Sequence, residues 1–399
     1  MPKNQSATGH SSLLIAIMVA ALSMLAPFTI DTYLPSFPAI ASEFSASYTQ
    51  MQQTMGLYLA VFALTTLFYG PLSDSFGRRP VIIGALALYV FGSVGAAMTD
   101  SIGGLLFWRV VQGLSAGAGV VVGRAMVRDA FSGHHAQRVL SHAMLIVAVA
   151  PAIAPMIGGV LQTFFGWRSI FWFLALLGVA LFSLAIWRAP ETLPLAERQS
   201  ARPGRVLTTY GIALQNRQFM GLVLAFSLNF GGFFLYIAGS PAIFYDHLHL
   251  GPNDFWMQFV PMVAGLMAGS YSSGRMAGRI SPKRTVYISY ALMLSAGLLN
   301  VLQALVLAPG PVNVLAPMVL YAFAVAFSMP SLTLMALDCF PHNRGMAAAV
   351  QSFLQVGGNA VVASLLVPLL SGHIWSMALG MLSLSCFGFV VWQWQQRKH

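Results

Sequence analysis

The sequence predicts an all-α integral membrane protein with twelve transmembrane helices in two pseudo-symmetric six-helix halves. Three observations predict it. Of the 399 residues, 57% are hydrophobic and only 8% charged, whereas soluble domains carry about 25% charged residues. Twelve apolar stretches, separated by short polar breaks, reach the roughly 20 residues that a bilayer crossing needs. The longest polar break, Arg188 to Arg217, falls mid-chain and leaves six stretches on each side, the layout of a duplicated membrane fold.

The expected spans are 12–40, 48–71, 80–99, 102–124, 139–163, 168–188, 218–243, 254–276, 285–307, 312–336, 344–369 and 373–394. All are expected as helices, because lipid offers a backbone no hydrogen bonds and each segment must satisfy its own. The apolar run from Leu13 ends at Asp31 and prolines with no small-residue cleavage site, so it reads as a retained first span. The halves are then 1–188 and 218–399, with 189–217 as the linker. Basic residues after span 2 (Arg78, Arg79) recur after span 8 (Arg275, Arg279, Lys283, Arg284), a faint echo of duplication.

Orientation follows from the basic residues, which concentrate in cytoplasmic loops. With both termini inside, eighteen of the twenty lysines and arginines fall on the inner side; Arg168 is left outside and Arg109 inside a span. That asymmetry accounts for the formal charge of +10 and leaves no continuous basic patch for nucleic acid. The two cysteines, Cys339 and Cys386, lie in or beside spans and form no disulfide or metal framework.

Gly70-Pro71-Leu72-Ser73-Asp74-Ser75-Phe76-Gly77-Arg78-Arg79-Pro80 joins spans 2 and 3. Its glycines permit a tight turn, and one acid with two arginines supplies switchable contacts at a helix junction. The pattern resembles the G-x-L-x-D-x-x-G-R-[RK] signature of the major facilitator superfamily. Leu105-x-x-x-Arg109-x-x-Gln112-Gly113 is similar to that superfamily's second motif. Ala154-Pro155-Met156-Ile157-Gly158-Gly159 is similar to its proton-antiporter motif, G-P-x-x-G-G, with Ala154 in place of a glycine; prolines 151 and 155 also predict a bent helix. Within the superfamily, Ile30-Asp31-Thr32-Tyr33-Leu34-Pro35, Val127-Arg128-Asp129-Ala130-Phe131, Gly166-Trp167-Arg168-Ser169-Ile170-Phe171-Trp172, Pro190-Glu191-Thr192-Leu193 and Phe340-Pro341-His342 with Gly345 resemble the bicyclomycin- and chloramphenicol-resistance-type (Bcr/CflA) branch of drug:proton antiporters.

The resemblance implies the major facilitator fold, alternating access, and proton-driven export of small, often amphipathic compounds across the bacterial cytoplasmic (inner) membrane. It implies no cofactor beyond the proton as coupling ion, and the fold needs no partner subunit, so a functional monomer is expected. It also implies that Asp74 sits near the start of span 11 and its positive dipole end, that Arg78 pairs with Asp129, and that these contacts latch the inner gate formed by Gly70, Asp74, Gly77, Arg78, Arg79 and Asp129. Pro155, Gly158 and Gly159 carry the antiporter motif.

Two charges lie inside the membrane. Asp31, the first acidic residue of the chain, is about nine residues from the outer end of span 1, roughly 13 Å. Arg109 is about seven residues from the outer end of span 4, roughly 10 Å. Intramembrane ionisable groups are costly and mark functional sites or paired charges. If spans 1 and 4 face one cavity, as the resemblance implies, the matching depths make the two each other's expected partners, directly or through water; a static ion pair is the competing reading. Arg109 shares a face with Gln112, Gly113 and Ala116, a polar and small stripe that suits a cavity wall. Desolvation and a guanidinium move a carboxylate's proton affinity in opposite directions, so Asp31 is expected to exchange a proton as the cavity changes sides. One pH unit is worth about 1.4 kcal/mol and each 100 mV about 2.3 kcal/mol per charge, so one inward proton supports roughly a 10²–10³-fold substrate gradient.

Phe28, Tyr58, Asn229 and Tyr236 join Gln112 as expected pocket residues, since aromatics with a few polar groups make an accommodating site; Asn229 also reads as an interhelical hydrogen bond. His247-Leu248-His249 reads as loop histidines, and His142 as a capping or surface residue. No nucleotide-binding or zinc-protease pattern is present. An uptake symporter shares the same expected architecture and stays open. An enzyme would need a cluster of catalytic residues in the spans, and a channel a repeated filter; the sequence shows neither.

Overall fold

In the computed structural model the chain is helical throughout its length, and the structure describes residues 9–131, 133–198 and 203–397. The first half contains α1 (Gly9–Asp31), a short α2 (Phe37–Phe44), α3 (Tyr48–Phe76), α4 (Arg78–Ala97), α5 (Ile102–Ala130), α6 (Gly133–Phe165) and α7 (Arg168–Arg188). After α8 (Pro203–Gln215) come α9 (Arg217–Ala238), α10 (Trp256–Met276), α11 (Pro282–Val306), α12 (Pro311–Asp338), α13 (Arg344–Val361), a short α14 (Val367–Leu370) and α15 (Ile374–Gln396). Among the described residues, eleven spans are long and apolar enough to cross a membrane. The twelfth, α10, has 21 residues, about 31 Å at 1.5 Å per residue, and is diluted by Gln258, Ser270, Ser272, Ser273 and its glycines.

Three features depart from the expected spans. The first span is not one helix over 12–40: α1 stops at Asp31, and a 3₁₀ turn at Leu34–Ser36 leads into α2. Pro35 and Pro38 lack the N–H groups that a continuous helix would use, so Asp31 sits at a helix terminus rather than mid-helix. The linker is not merely polar, because α8 occupies 13 of its residues. The second half also has π-helical turns at Ala242–His247 and Val362–Leu366, irregularities that concentrate at functional sites in helical proteins.

Packing reveals the duplication more clearly than the sequence. In the first half α3 lies against α5, α4 against α5 and α7, and α1 against α5; in the second, α10 lies against α12, α11 against α12 and α15, and α9 against α12. One set of contacts maps onto the other when α1, α3, α4, α5 and α7 are matched with α9, α10, α11, α12 and α15. Between halves, α3 runs along α13 and α6 along α10.

Candidate functional site

Arg109 is fully buried, and a buried guanidinium must find partners for its donors. Its Nη1 donates to the Thr29 carbonyl (3.2 Å) and to Gln112 Oε1 (3.0 Å), and its Nε to the Thr54 carbonyl (3.3 Å). Two aromatic faces supply the rest: the guanidinium carbon lies 4.5 Å from the Tyr58 ring centroid and 4.9 Å from that of Tyr33, within the range of a cation–π contact. Gln112 is oriented in turn by donating from Nε2 to Ser93 Oγ (2.9 Å). Thr29 Oγ1 bonds the Tyr89 hydroxyl at 2.7 Å and Tyr33 the Thr54 hydroxyl at 2.7 Å. One network thus links α1, α3, α4 and α5, while among the described residues Arg109 Nη2 has no hydrogen-bond partner.

Asp31 is not part of that network. It is 4% exposed and makes no hydrogen bond or ion pair among the described residues. The expected direct pairing with Arg109 is corrected, and so is the static ion pair. Arg109 bonds instead to the Thr29 carbonyl of α1 and lies over the ring of Tyr33, just beyond the end of that helix. Behind Asp31, α6 presses on the same break in α1: a Cβ at Gly158 would collide with the Thr32 carbonyl oxygen, and one at Gly159 with the Pro252 carbonyl of the other half. These glycines bring α6 within backbone contact of both halves, with Pro155 one turn earlier in the same helix.

The end of the bundle bearing the arginine-rich loops is the inner end on the positive-inside rule. There Arg78 Nη1 meets Asp74 Oδ1 at 2.6 Å and Ser73 Oγ at 2.6 Å, and its Nε meets Asp129 Oδ2 at 2.9 Å. Gly77 separates α3 from α4 at φ +99°, and a side chain on it would run into Glu191 and Arg198. The Glu191 carboxylate accepts from the backbone N–H groups of Arg78 (3.0 Å) and Arg79 (3.4 Å), capping α4. Thr192 donates to Asp129 (3.3 Å), and Arg79 Nη2 to the Ile186 carbonyl (2.6 Å). Gly70 lies where α3 meets Val121 of α5. Asp74 is therefore held by Arg78 within its own half, its side chain 47% exposed, and not by the start of α13, as expected. At the outer end neutral bonds join the halves: Gln52 Nε2 donates to the Ala238 carbonyl (2.9 Å) and the Tyr245 hydroxyl to the Pro35 carbonyl (2.6 Å).

The sequence profile of the Major Facilitator Superfamily matches residues 19–363. The chain belongs to the Major Facilitator Superfamily. It is 33% identical to the "Uncharacterized MFS-type transporter YdgK" of Bacillus subtilis (strain 168), over 90% of this chain and 89% of that one. It is 30% identical to the "Bicyclomycin resistance protein homolog" of Haemophilus influenzae, over 74% of each, and 29% identical to "Multidrug resistance protein MdtL" of Escherichia coli (strain K12 / DH10B), over 91% and 90%. A D-xylose-proton symporter shares its fold at TM-score 0.69 and 16% identity, covering 94% of this chain and 97% of that one.

Within this superfamily fold, the structure sorts the expected pocket residues. Tyr58 and Gln112 join Arg109. Phe28 is buried and packs toward Phe173 of α7, ring centroids 6.3 Å apart. Asn229 and Tyr236 belong elsewhere: Asn229 Nδ2 donates to the Tyr290 hydroxyl (3.1 Å) with its Oδ1 toward Gly388, and Tyr236 accepts from Asn300 Nδ2 (2.6 Å). Both tie α9 to α11, because buried amides and hydroxyls seek partners within their own bundle. The sequence reading missed Thr29, Tyr33, Thr54, Tyr89 and Ser93. Part of their signal was a pair of hydroxyl residues four apart on one helix face, Tyr89 with Ser93 in α4. His247 bonds the Ser371 carbonyl at 2.7 Å, and no group of three metal-capable side chains occurs among the described residues. The side chain of His142 lies outside the described residues.

Proposed function

We propose that this superfamily member is a proton-coupled exporter of small amphipathic compounds. It works by alternating access as a monomer in the bacterial cytoplasmic membrane, with both termini inside. One observation carries the reading: a buried carboxylate, Asp31, without a counter-ion among the described residues, at the end of α1 and one residue before the Thr32 carbonyl that Gly158 of α6 approaches. Charge without a partner is expensive out of water. Proton occupancy at Asp31 is therefore tied to whether water reaches it, and that changes as the halves rock. Substrate and proton compete for this position, and Arg109 fixes the α1 backbone from which Asp31 projects.

The names of the bicyclomycin-resistance and multidrug-resistance relatives support export over uptake, whereas the symporter neighbour supports the fold alone. The test is pH-gradient-driven transport in everted vesicles, with bicyclomycin and chloramphenicol among the probes. Wild type accumulates a probe when the interior is acidified and Asp31→Asn does not. Undiminished gradient-driven accumulation by Asp31→Asn overturns the reading, and accumulation only under the opposite gradient turns it into uptake symport.

A further inference from the structure

Pro71 lies inside α3, in the gate motif, and the helix continues through it to Phe76. A proline has no N–H to donate to the carbonyl four residues back, so the Leu67 carbonyl is left without its helical partner. The Tyr210 hydroxyl of the linker helix α8 donates to that carbonyl at 2.6 Å. Helix α8 itself packs on α9 and α13. The contact therefore fastens the gate-bearing end of α3, in the first half, to an element seated on the second. Burial, with Asp74 nearby, pushes the Tyr210 hydroxyl up to about 12, so it keeps its donor proton at physiological pH.

We propose that Tyr210 is a positioning residue of the transport cycle: its hydroxyl fills the carbonyl vacancy made by Pro71 and holds the inner end of α3 in the arrangement seen here. The proposal rests on alternating access and not on proton coupling. When the gate end of α3 shifts relative to α8 to close the inner side, this bond breaks, and the exposed carbonyl makes the departure unfavourable. A proline in the gate motif and a tyrosine in the linker, 139 positions apart, act as one lock.

The experiment needs no substrate. Spin labels are placed at Arg188→Cys and Lys283→Cys, exposed inner-end positions in the two halves, in full-length protein carrying Cys339→Ser and Cys386→Ser. Pulsed dipolar distances are measured in lipid nanodiscs. Tyr210→Phe, which removes one hydroxyl, shifts the ratio of inner-open to inner-closed populations about fivefold toward closed, the equivalent of one hydrogen bond. In a Pro71→Ala background, where the restored N–H satisfies Leu67, the same substitution shifts the ratio less than about twofold. Pro71→Ser restores the same N–H and serves as a second background if Pro71→Ala folds poorly. An unchanged distribution in Tyr210→Phe, or an equal shift with and without Pro71, overturns the proposal. Because no proton gradient is applied, failure here leaves the exporter reading intact, and failure of proton coupling leaves this one intact.

Discussion

The two halves build the same junction from different chemistry. In the first, a side chain of α5 donates to the backbone of α1, Arg109 to the Thr29 carbonyl, while Thr29 bonds Tyr89 of α4. In the second, the matching helix α12 donates to α9, Tyr321 to the Asn229 carbonyl at 3.0 Å, while Asn229 bonds Tyr290 of α11. Tyr321 is further held by Ser385 of α15 at 2.8 Å. In each case three helices are pinned at one residue, one through its backbone carbonyl and one through its side chain. A neutral hydroxyl suffices for the pinning, so structure alone does not call for the guanidinium of the first half. Two residues beyond the pinned carbonyl stands Asp31 in one half and Gly231 in the other. The charged pair of positions is an addition to a shared scaffold, and it is confined to the half that carries the gate motif.

Breaking this asymmetry ranks the consequences. The largest effect is expected from Asp31→Asn, which removes the titrating group and leaves the helix break in place: gradient-driven transport falls by about 100-fold or more, in line with loss of an obligatory proton-transfer group, while the thermal midpoint hardly moves. Arg109→Ala comes next, because it strands the Thr29 and Thr54 carbonyls and the Gln112 amide in the core. Unfolding in detergent should lose about 3 kcal/mol or more, since three buried acceptors left unsatisfied cost about 1–3 kcal/mol each. Arg109→Lys should rescue little, since an ammonium cannot reproduce the planar fork and ring stacking.

Smaller effects sharpen the comparison from the other side. Gly158→Ala forces a methyl into the Thr32 carbonyl, and the overpacking should cost about 1–3 kcal/mol, seen as a lower midpoint and slower transport together. Tyr321→Phe removes the neutral counterpart of Arg109. It should cost about 1 kcal/mol of stability and leave the protons moved per substrate unchanged. A change in that stoichiometry would show that the second half shares the coupling. Least of all, Glu191→Gln weakens the cap on α4 by about 0.5–1 kcal/mol, visible as a small shift in thermal midpoint that shrinks at high salt.

Much of the scaffold was legible because lipid enforces it. An apolar run of the right length has one way to satisfy its backbone, so the spans and the arginine asymmetry could be read residue by residue. The spacing of Arg109 and Gln112 placed them on one face, and they bond. Arg78 does meet Asp129, as the family motif implied. Matching depths, by contrast, did not specify contact: Arg109 spends its bonds on Thr29, Thr54 and Gln112 and makes none to Asp31. Asn229 makes the interhelical hydrogen bond that was its alternative reading, but its partner Tyr290, like Asn300 for Tyr236, is about 60 positions away on a helix with no motif and could not be named. Helix α8 was hidden by the prolines and charges around it, and the hydroxyl that bonds Leu67 is intelligible only when α3 is already beside it. The gate acid Asp74 was expected at α13 because a latch has two positions, and the sequence does not say which one is occupied.

The central claim is that the proton is exchanged at Asp31, in the first half, without Arg109 as its salt-bridge partner. Its most direct measurement is proton release from purified protein in weakly buffered detergent solution on addition of saturating bicyclomycin or chloramphenicol. Wild type and Tyr321→Phe should release protons alike, and Asp31→Asn should release none while still binding the compound. Equal release from Asp31→Asn and wild type would contradict the account.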